Sequence, residues 1–155
     1  MPLKPIDYQN TIIYKLVHKE DYENANIYIG STTDFIRRKT NHKNCCNSDK
    51  KKGYTDRKYQ FIRANGGWSE WDMVMVERYP CIDGIEARSR EEYWRCQLNS
   101  NLNTKKAFIT EEERLERSKA YYLDNKEKLK GQMKQRYLRM KAANMRTTEA
   151  VGLDA

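Results

Sequence analysis

Long apolar runs are missing from this chain. Nowhere do eighteen apolar residues follow one another, which excludes a membrane-spanning helix. Met1 to Asn10 has no apolar core of the kind that marks a secretion signal. Cytosol, nucleus or a viral setting all stay open. Histidine is scarce, with two residues, and the four cysteines form no CxxC pair. Adjacent Cys45 and Cys46 cannot easily share a tetrahedral site, and neither histidine has a matching partner spacing, so zinc is not indicated. The cysteines read as free, partly buried thiols in a reducing compartment.

What is present is charge. Of the 155 residues 34% are charged and only 38% hydrophobic, enough for one compact domain with a modest core plus an appendage. The net charge of +8 is unevenly spread. Residues 37–63 carry ten basic and two acidic side chains, and residues 104–155 carry thirteen and eight. Acidic residues outnumber basic ones in residues 1–36 and 64–103. Two basic zones beside mildly acidic ones suit a polyanion such as DNA or RNA. A solvated lysine-rich surface is the other reading of the same charges.

Thr11 to Val17 reads as a strand, with Ile12, Tyr14 and Leu16 on one face and Ile13, Lys15 and Val17 on the other. A short polar return leads to a second strand at 26–30, which argues for an antiparallel hairpin. Gly30 is expected to make a tight turn out of that strand. Ser31 or Thr33 would cap a helix from Asp34 to about Asn44. A lysine-rich loop at 47–53 precedes a helix over 55–64 with Tyr59 and Ile62 turned inward, closed by Asn65-Gly66-Gly67. Trp71 to Tyr79 alternates as a third strand, Met73, Met75 and Glu77 sharing the Trp71 face, and Pro80 stops it. A helix is expected over 85–98. Thr110-Glu111-Glu112-Glu113 is a capping box for a long charged helix reaching about Lys141, after which the last dozen residues look frayed. Its sparse apolar residues fit either a weak packing seam or a helix that orders on a partner.

Helical spacing singles out one carboxylate. Ala87, Glu91, Trp94 and Leu98 recur at helical intervals, so Glu91 sits within the apolar stripe while Glu92 points away. A carboxylate there is unfavourable unless it pairs with a cation or holds a metal. A buried Glu–Arg pair and a helix rotated to expose Glu91 are the alternatives. On the first helix Phe35, Arg38 and His42 share a face, with Phe35 as anchor and the other two able to reach over the sheet edge toward a phosphate. Tyr14 and Tyr28 equally suit half-buried packing roles.

Taken together, these segments resemble the GIY-YIG nuclease family. There two tripeptides lie on adjacent strands, here Ile12-Ile13-Tyr14 and Tyr28-Ile29-Gly30. An arginine follows eight positions after the second glycine and a histidine four further on, which selects Arg38 and His42. The later pattern matches Glu91-Glu92-Tyr93-Trp94, then Leu98-Asn99 and Leu102-Asn103. The resemblance covers about residues 11–103. Ile12 replaces the first glycine, and the Tyr14–Tyr28 separation is slightly long. It implies an α/β fold over residues 9–104, a small three-stranded antiparallel sheet flanked by helices; residues 105–155 lie outside the resemblance and read from their own charge as a basic helical tail and candidate DNA-binding extension.

The resemblance further implies a metal-dependent DNA endonuclease, with a non-cleaving nucleic-acid-binding protein on the same scaffold as the alternative. Glu91 would hold one Mg²⁺ or Mn²⁺ against the scissile phosphate, and Arg38 would neutralise charge. Tyr14 would activate water, with its high intrinsic pKa lowered by nearby cations. Tyr28 would orient the site, His42 would assist proton transfer, and Gly30 and Asn103 would support the architecture. Arg37, Lys39 and Lys43 are the candidate contacts to double-stranded DNA. One such site cuts one strand, so a double-strand break calls for a homodimer or two visits.

Overall fold

A computed structural model describes the backbone of residues 5–151 and the side chains of residues 5–142. Three strands, β1 (Ile12–His18), β2 (Tyr28–Thr32) and β3 (Trp71–Arg78), form one antiparallel sheet in the order β2-β1-β3. The helices are α1 (Phe35–Asn47), α2 (Arg57–Ala64), α3 (Gly84–Gln97) and α4 (Glu111–Val151). The chain divides into two compact units, Met1–Phe108 and Ile109–Ala155. The first is the expected small antiparallel sheet flanked by helices. Among the described residues no helix is long and apolar enough to cross a membrane.

Central β1 is buried on both faces because both are covered by helices. Tyr14 and Leu16 pack with Cys46, Tyr59, Ile62, Trp71, Met73 and Leu102, the side of α1 and α2. Ile13 and Val17 pack with Ile27 and Ile29 and with Trp94 and Leu98, the side of α3. Helix α1 begins one residue later than expected, and its cap is Asp34, whose carboxylate accepts from Arg37 N at 3.0 Å. Asp83 caps α3 through bonds from Ile85 N and Glu86 N. Helix α2 closes as the two glycines suggest: Gly66 and Gly67 have φ of 82° and 76°, and Gly67 N returns to Ile62 O.

Two departures from simple periodicity shape the site. Ile13 opposes Glu77 and Tyr14 opposes Met75, so Val76 is an extra residue in β3. This bulge breaks the alternation, and Glu77 turns to the α3 face. There it accepts from Arg90 at 2.7 and 2.8 Å and from Trp94 Nε1 at 2.7 Å. The second departure is in β2, which runs two residues further than expected, so Gly30 lies mid-strand opposite Tyr14 and makes no turn.

The outer edge of β2 is occupied by the segment after α3. Leu102 N and Ser100 Oγ both donate to Ile27 O. The Asn103 amide meets both backbone groups of Ile29, accepting from its N–H at 2.8 Å and donating to its C=O at 2.8 Å.

In the second unit, Thr110 Oγ1 accepts from Glu113 N as a capping-box residue should. Helix α4 continues ten residues past the expected end at Lys141. The expected fraying therefore does not appear over 144–151, a stretch that includes the strong helix formers Met145, Arg146, Glu149 and Ala150. Residues 152–155 lie outside the described residues. The seam residues Leu115, Tyr122, Met133, Tyr137 and Met140 are exposed.

Candidate active site

The site is organised around the Tyr14 hydroxyl. Its ring leaves β1 and crosses Gly30 of the neighbouring strand at close range. A β-carbon on Gly30 would lie 2.6 Å from Tyr14 Cζ, closer than real β-carbons approach, so only glycine lets the ring lie there. Phe35, in the first turn of α1, meets the ring edge-on at a 6.3 Å centroid separation.

Helix α1 brings two further groups to the same oxygen. Arg38 Nε donates to Tyr14 Oη at 2.8 Å, and His42 Nε2 lies 2.8 Å from it on the other side. The other His42 nitrogen, Nδ1, lies 2.7 Å from the Tyr59 hydroxyl, which α2 supplies. The His42 ring is only 1% exposed and stacks on Trp68 at an interplanar angle of 11°. It therefore does not reach over the sheet edge toward a phosphate. It joins two phenols.

Burial sets the electrostatics. It pushes the Tyr14 pKa well above the ordinary tyrosine value, with Tyr28 adding to the rise and Arg38 opposing it. Nearby cations thus do not lower this phenol overall, contrary to the sequence expectation, because desolvation of a phenolate outweighs them. Tyr28 is raised for the same first reason, with Glu91 contributing. Burial also drives His42 down to about 3, helped by the charges of Arg38 and Lys58, so the imidazole is neutral at neutral pH. Burial works against the Arg38 charge too, yet the phenol oxygens around it raise its pKa.

Glu91, on α3, meets β2 at Ser31. Its Oε2 accepts from Ser31 Oγ at 2.6 Å. Among the described residues it forms no ion pair with an arginine, so the buried-pair alternative does not hold. Burial raises its pKa, while Ser31 and the charge of Arg38 pull it down. Among the described residues no three His, Cys, Asp or Glu side chains gather as a metal cage. One hydroxyl-anchored, partly desolvated carboxylate nevertheless fits Mg²⁺ or Mn²⁺, which take hard oxygen donors and fill their remaining positions with water and phosphate oxygen. A divalent charge would also relieve the desolvation that raises the Glu91 pKa.

The remaining expected contacts lie apart from this centre. Arg37 and Lys43 are exposed on α1, and Lys39 sits 3.9 Å from Asp72 in a loose, solvated pair. Asn103 touches the Ile29 backbone, one residue before Gly30. Sequence reasoning turned Tyr59 inward without assigning it a polar partner, offered Ser31 as a helix cap, and passed over Lys58. Lys58 Nζ lies 5.0 Å from the Tyr28 ring centre and 4.6 Å from that of Tyr59. Its inward helical spacing was the one signal that pointed to Tyr59, and nothing in the sequence tied it to His42.

The chain matches the GIY-YIG catalytic domain over residues 10–106. No curated protein and no solved structure gives a match. The matched span takes in the whole sheet, the three helices packed on it and the strap that ends at Asn103. More than half of the chain is thus accounted for by one catalytic domain, and the protein belongs to the GIY-YIG family of nucleases.

Proposed function

We propose that this protein is a metal-dependent endonuclease that hydrolyses DNA phosphodiester bonds at the centre formed by Tyr14, Tyr28, Arg38, His42 and Glu91. The observation that carries this reading is the double engagement of one phenol oxygen. Tyr14 Oη touches a permanent cation, Arg38, and a neutral base, His42, within 2.8 Å of each. That arrangement fixes a phenol oxygen and a guanidinium where negative charge would grow.

Hydrolysis needs water activated, phosphate charge neutralised and the leaving oxygen stabilised. Burial leaves no standing phenolate on Tyr14 at neutral pH. In the proposed step Tyr14 orients the attacking water through its oxygen, which Arg38 and His42 Nε2 hold in place, and the water's proton is lost to solvent as its oxygen attacks phosphorus. Tyr59 holds the opposite nitrogen of the imidazole and fixes its orientation. Arg38, bound to Tyr14 through Nε, directs its remaining guanidinium donors at the phosphate, whose charge grows in the transition state. Tyr28 lines the same centre and orients the bound strand. Glu91, anchored by Ser31, would hold one Mg²⁺ or Mn²⁺. When bound, the ion supplies positive charge against the phosphate oxygens and lowers the pKa of coordinated water.

The raised pKa values of Tyr14 and Tyr28 favour one second reading, a nucleic-acid-binding protein that no longer cleaves. Supercoiled-plasmid nicking with Mg²⁺, with and without chelator, separates the two. Mg²⁺-dependent nicking that Glu91→Ala abolishes, with DNA binding largely retained, is the expected result. Binding without nicking by the unaltered protein supports the second reading, and nicking by Glu91→Ala at the unaltered rate removes the metal-site assignment.

A further inference from the structure

Tyr28 also lines a polar pocket of about 350 Å³ whose other lining residues lie outside the proposed reaction centre. The start of α2 and the segment that follows Asn103 form its walls, through Asp56, Arg57, Lys58, Thr104 and Lys105. Three cations thus face one carboxylate. Lys58 satisfies that carboxylate at 2.9 Å while lying over the Tyr28 and Tyr59 rings. Arg57 and Lys105 are exposed, and among the described residues neither takes part in an ion pair. A surface that leaves two cations unneutralised over a hollow has positive potential to offer an anion.

Tyr28 belongs to both places, lining this pocket and sitting 6.4 Å, centroid to centroid, from Tyr14. A ligand that reaches from one to the other must carry repeated negative charge along a chain. Nucleic acid does, with one charge for about every 3.4 Å of helix axis per strand. We propose that this pocket is a backbone-phosphate subsite. It grips the strand being cut through Arg57 and Lys105, at a phosphate to one side of the scissile bond. The proposal rests on the nuclease reading for its term "scissile" but not for the grip itself. It also differs from the sequence expectation, which placed the DNA contacts on α1 at Arg37, Lys39 and Lys43. The pocket is lined from the start of α2 and from the segment after Asn103, not from α1.

Lys58 touches the tyrosines, so the test leaves it alone. The full chain is compared with the double variants Arg57→Gln/Lys105→Gln and Lys50→Gln/Lys51→Gln, the latter removing equal charge from an exposed loop. A fluorescent DNA duplex is titrated in EDTA at several salt concentrations, with circular dichroism melts showing that each variant folds. The pocket variant should have a salt slope shallower by about 1.8, so that its affinity loss between 50 and 200 mM salt is smaller by about twelvefold. The loop variant should shift by less than half as much. An unchanged slope in the pocket variant, or equal shifts in both variants, overturns the subsite. Nicking is then read in Mg²⁺, where the pocket variant should raise the plasmid KM and keep the saturated rate. Because the titration needs no cleavage, the two readings fail separately. A slope change with no nicking by the unaltered protein keeps the subsite and rejects the nuclease; nicking with an unchanged slope does the reverse.

Discussion

Replacing Gly30 with alanine adds one methyl group at the point where two strands bring the site together. The new carbon would lie 2.6 Å from Tyr14 Cζ, where ordinary contact begins at 3.4 Å, so the ring must retreat by about 0.8 Å. It has nowhere to go, since Tyr14 is fully buried and is hemmed in by Phe35, Tyr28 and His42. Forced packing of this kind costs about 1–3 kcal/mol of stability. A displacement approaching 1 Å also loosens the bonds to Arg38 and His42, and misplacement on that scale lowers rates by about a hundredfold. Gly30→Ala should therefore stay folded with a lower urea midpoint and nick plasmid about a hundredfold more slowly, with DNA affinity retained. Gly131→Ala is the control. A β-carbon there meets nothing within 4 Å, so the same methyl in the interior of α4 should stabilise that helix by up to about 1 kcal/mol and leave nicking unchanged. If Gly30→Ala nicks at the unaltered rate, Tyr14 is not held by this contact and the account of the strand is wrong.

Tyr59→Phe removes the hydroxyl from His42 Nδ1 and leaves a buried ring nitrogen unpaired, so stability should fall by about 1–3 kcal/mol and the pH–rate profile should move; a stability loss with an unmoved profile would make Tyr59 purely structural. His42 ordinarily titrates near 6.5 but is held down to about 3 in the fold, so the unfolded chain binds the extra proton between those values. The stabilising contribution is complete above pH 6.5 and is lost as pH falls toward 3. Thermal melts across this window should show a steeper acid decline than those of His42→Gln, and parallel declines would refute the burial argument. Truncation after Phe108 should leave a cooperatively folding domain, because the contacts of residues 5–108 close among themselves. If the tail contacts DNA, the truncated protein should also show a shallower salt slope; loss of cooperative melting would show that the tail packs instead.

The strands and helices were legible because alternation and helical spacing act locally, and most boundaries moved by only one to three residues. Glu91 stood out because a carboxylate within an apolar stripe conflicts with its surroundings, a conflict visible without any partner. Gly30 was misread because glycine serves both tight turns and close approaches. Only the Tyr14 ring, sixteen residues earlier and on another strand, decides between them. Glu77 was placed on the wrong face because one extra residue in β3 has no local signature and is set by pairing with β1. The partners of His42 were illegible for a related reason. Tyr59 comes from another helix, and its hydroxyl meets the ring only when α1 and α2 pack on the same face of the sheet. The direction of the Tyr14 pKa shift was missed, because neighbouring charges can be guessed from sequence but the depth of burial cannot.

The strap along β2 also sets an order of events during synthesis. Ile29 and Asn103 are 74 residues apart, and until Asn103 has been made the outward backbone groups of Ile29, next to Gly30, lack the partner they have in the fold. Through most of translation the nascent domain therefore carries an open strand edge, a surface on which other chains can add. The ribosome must release nearly the whole domain before that edge closes, so the strand that carries Gly30 is among the last to be secured. Slowed synthesis between residues 80 and 103 would prolong the exposed state without altering any residue of the site.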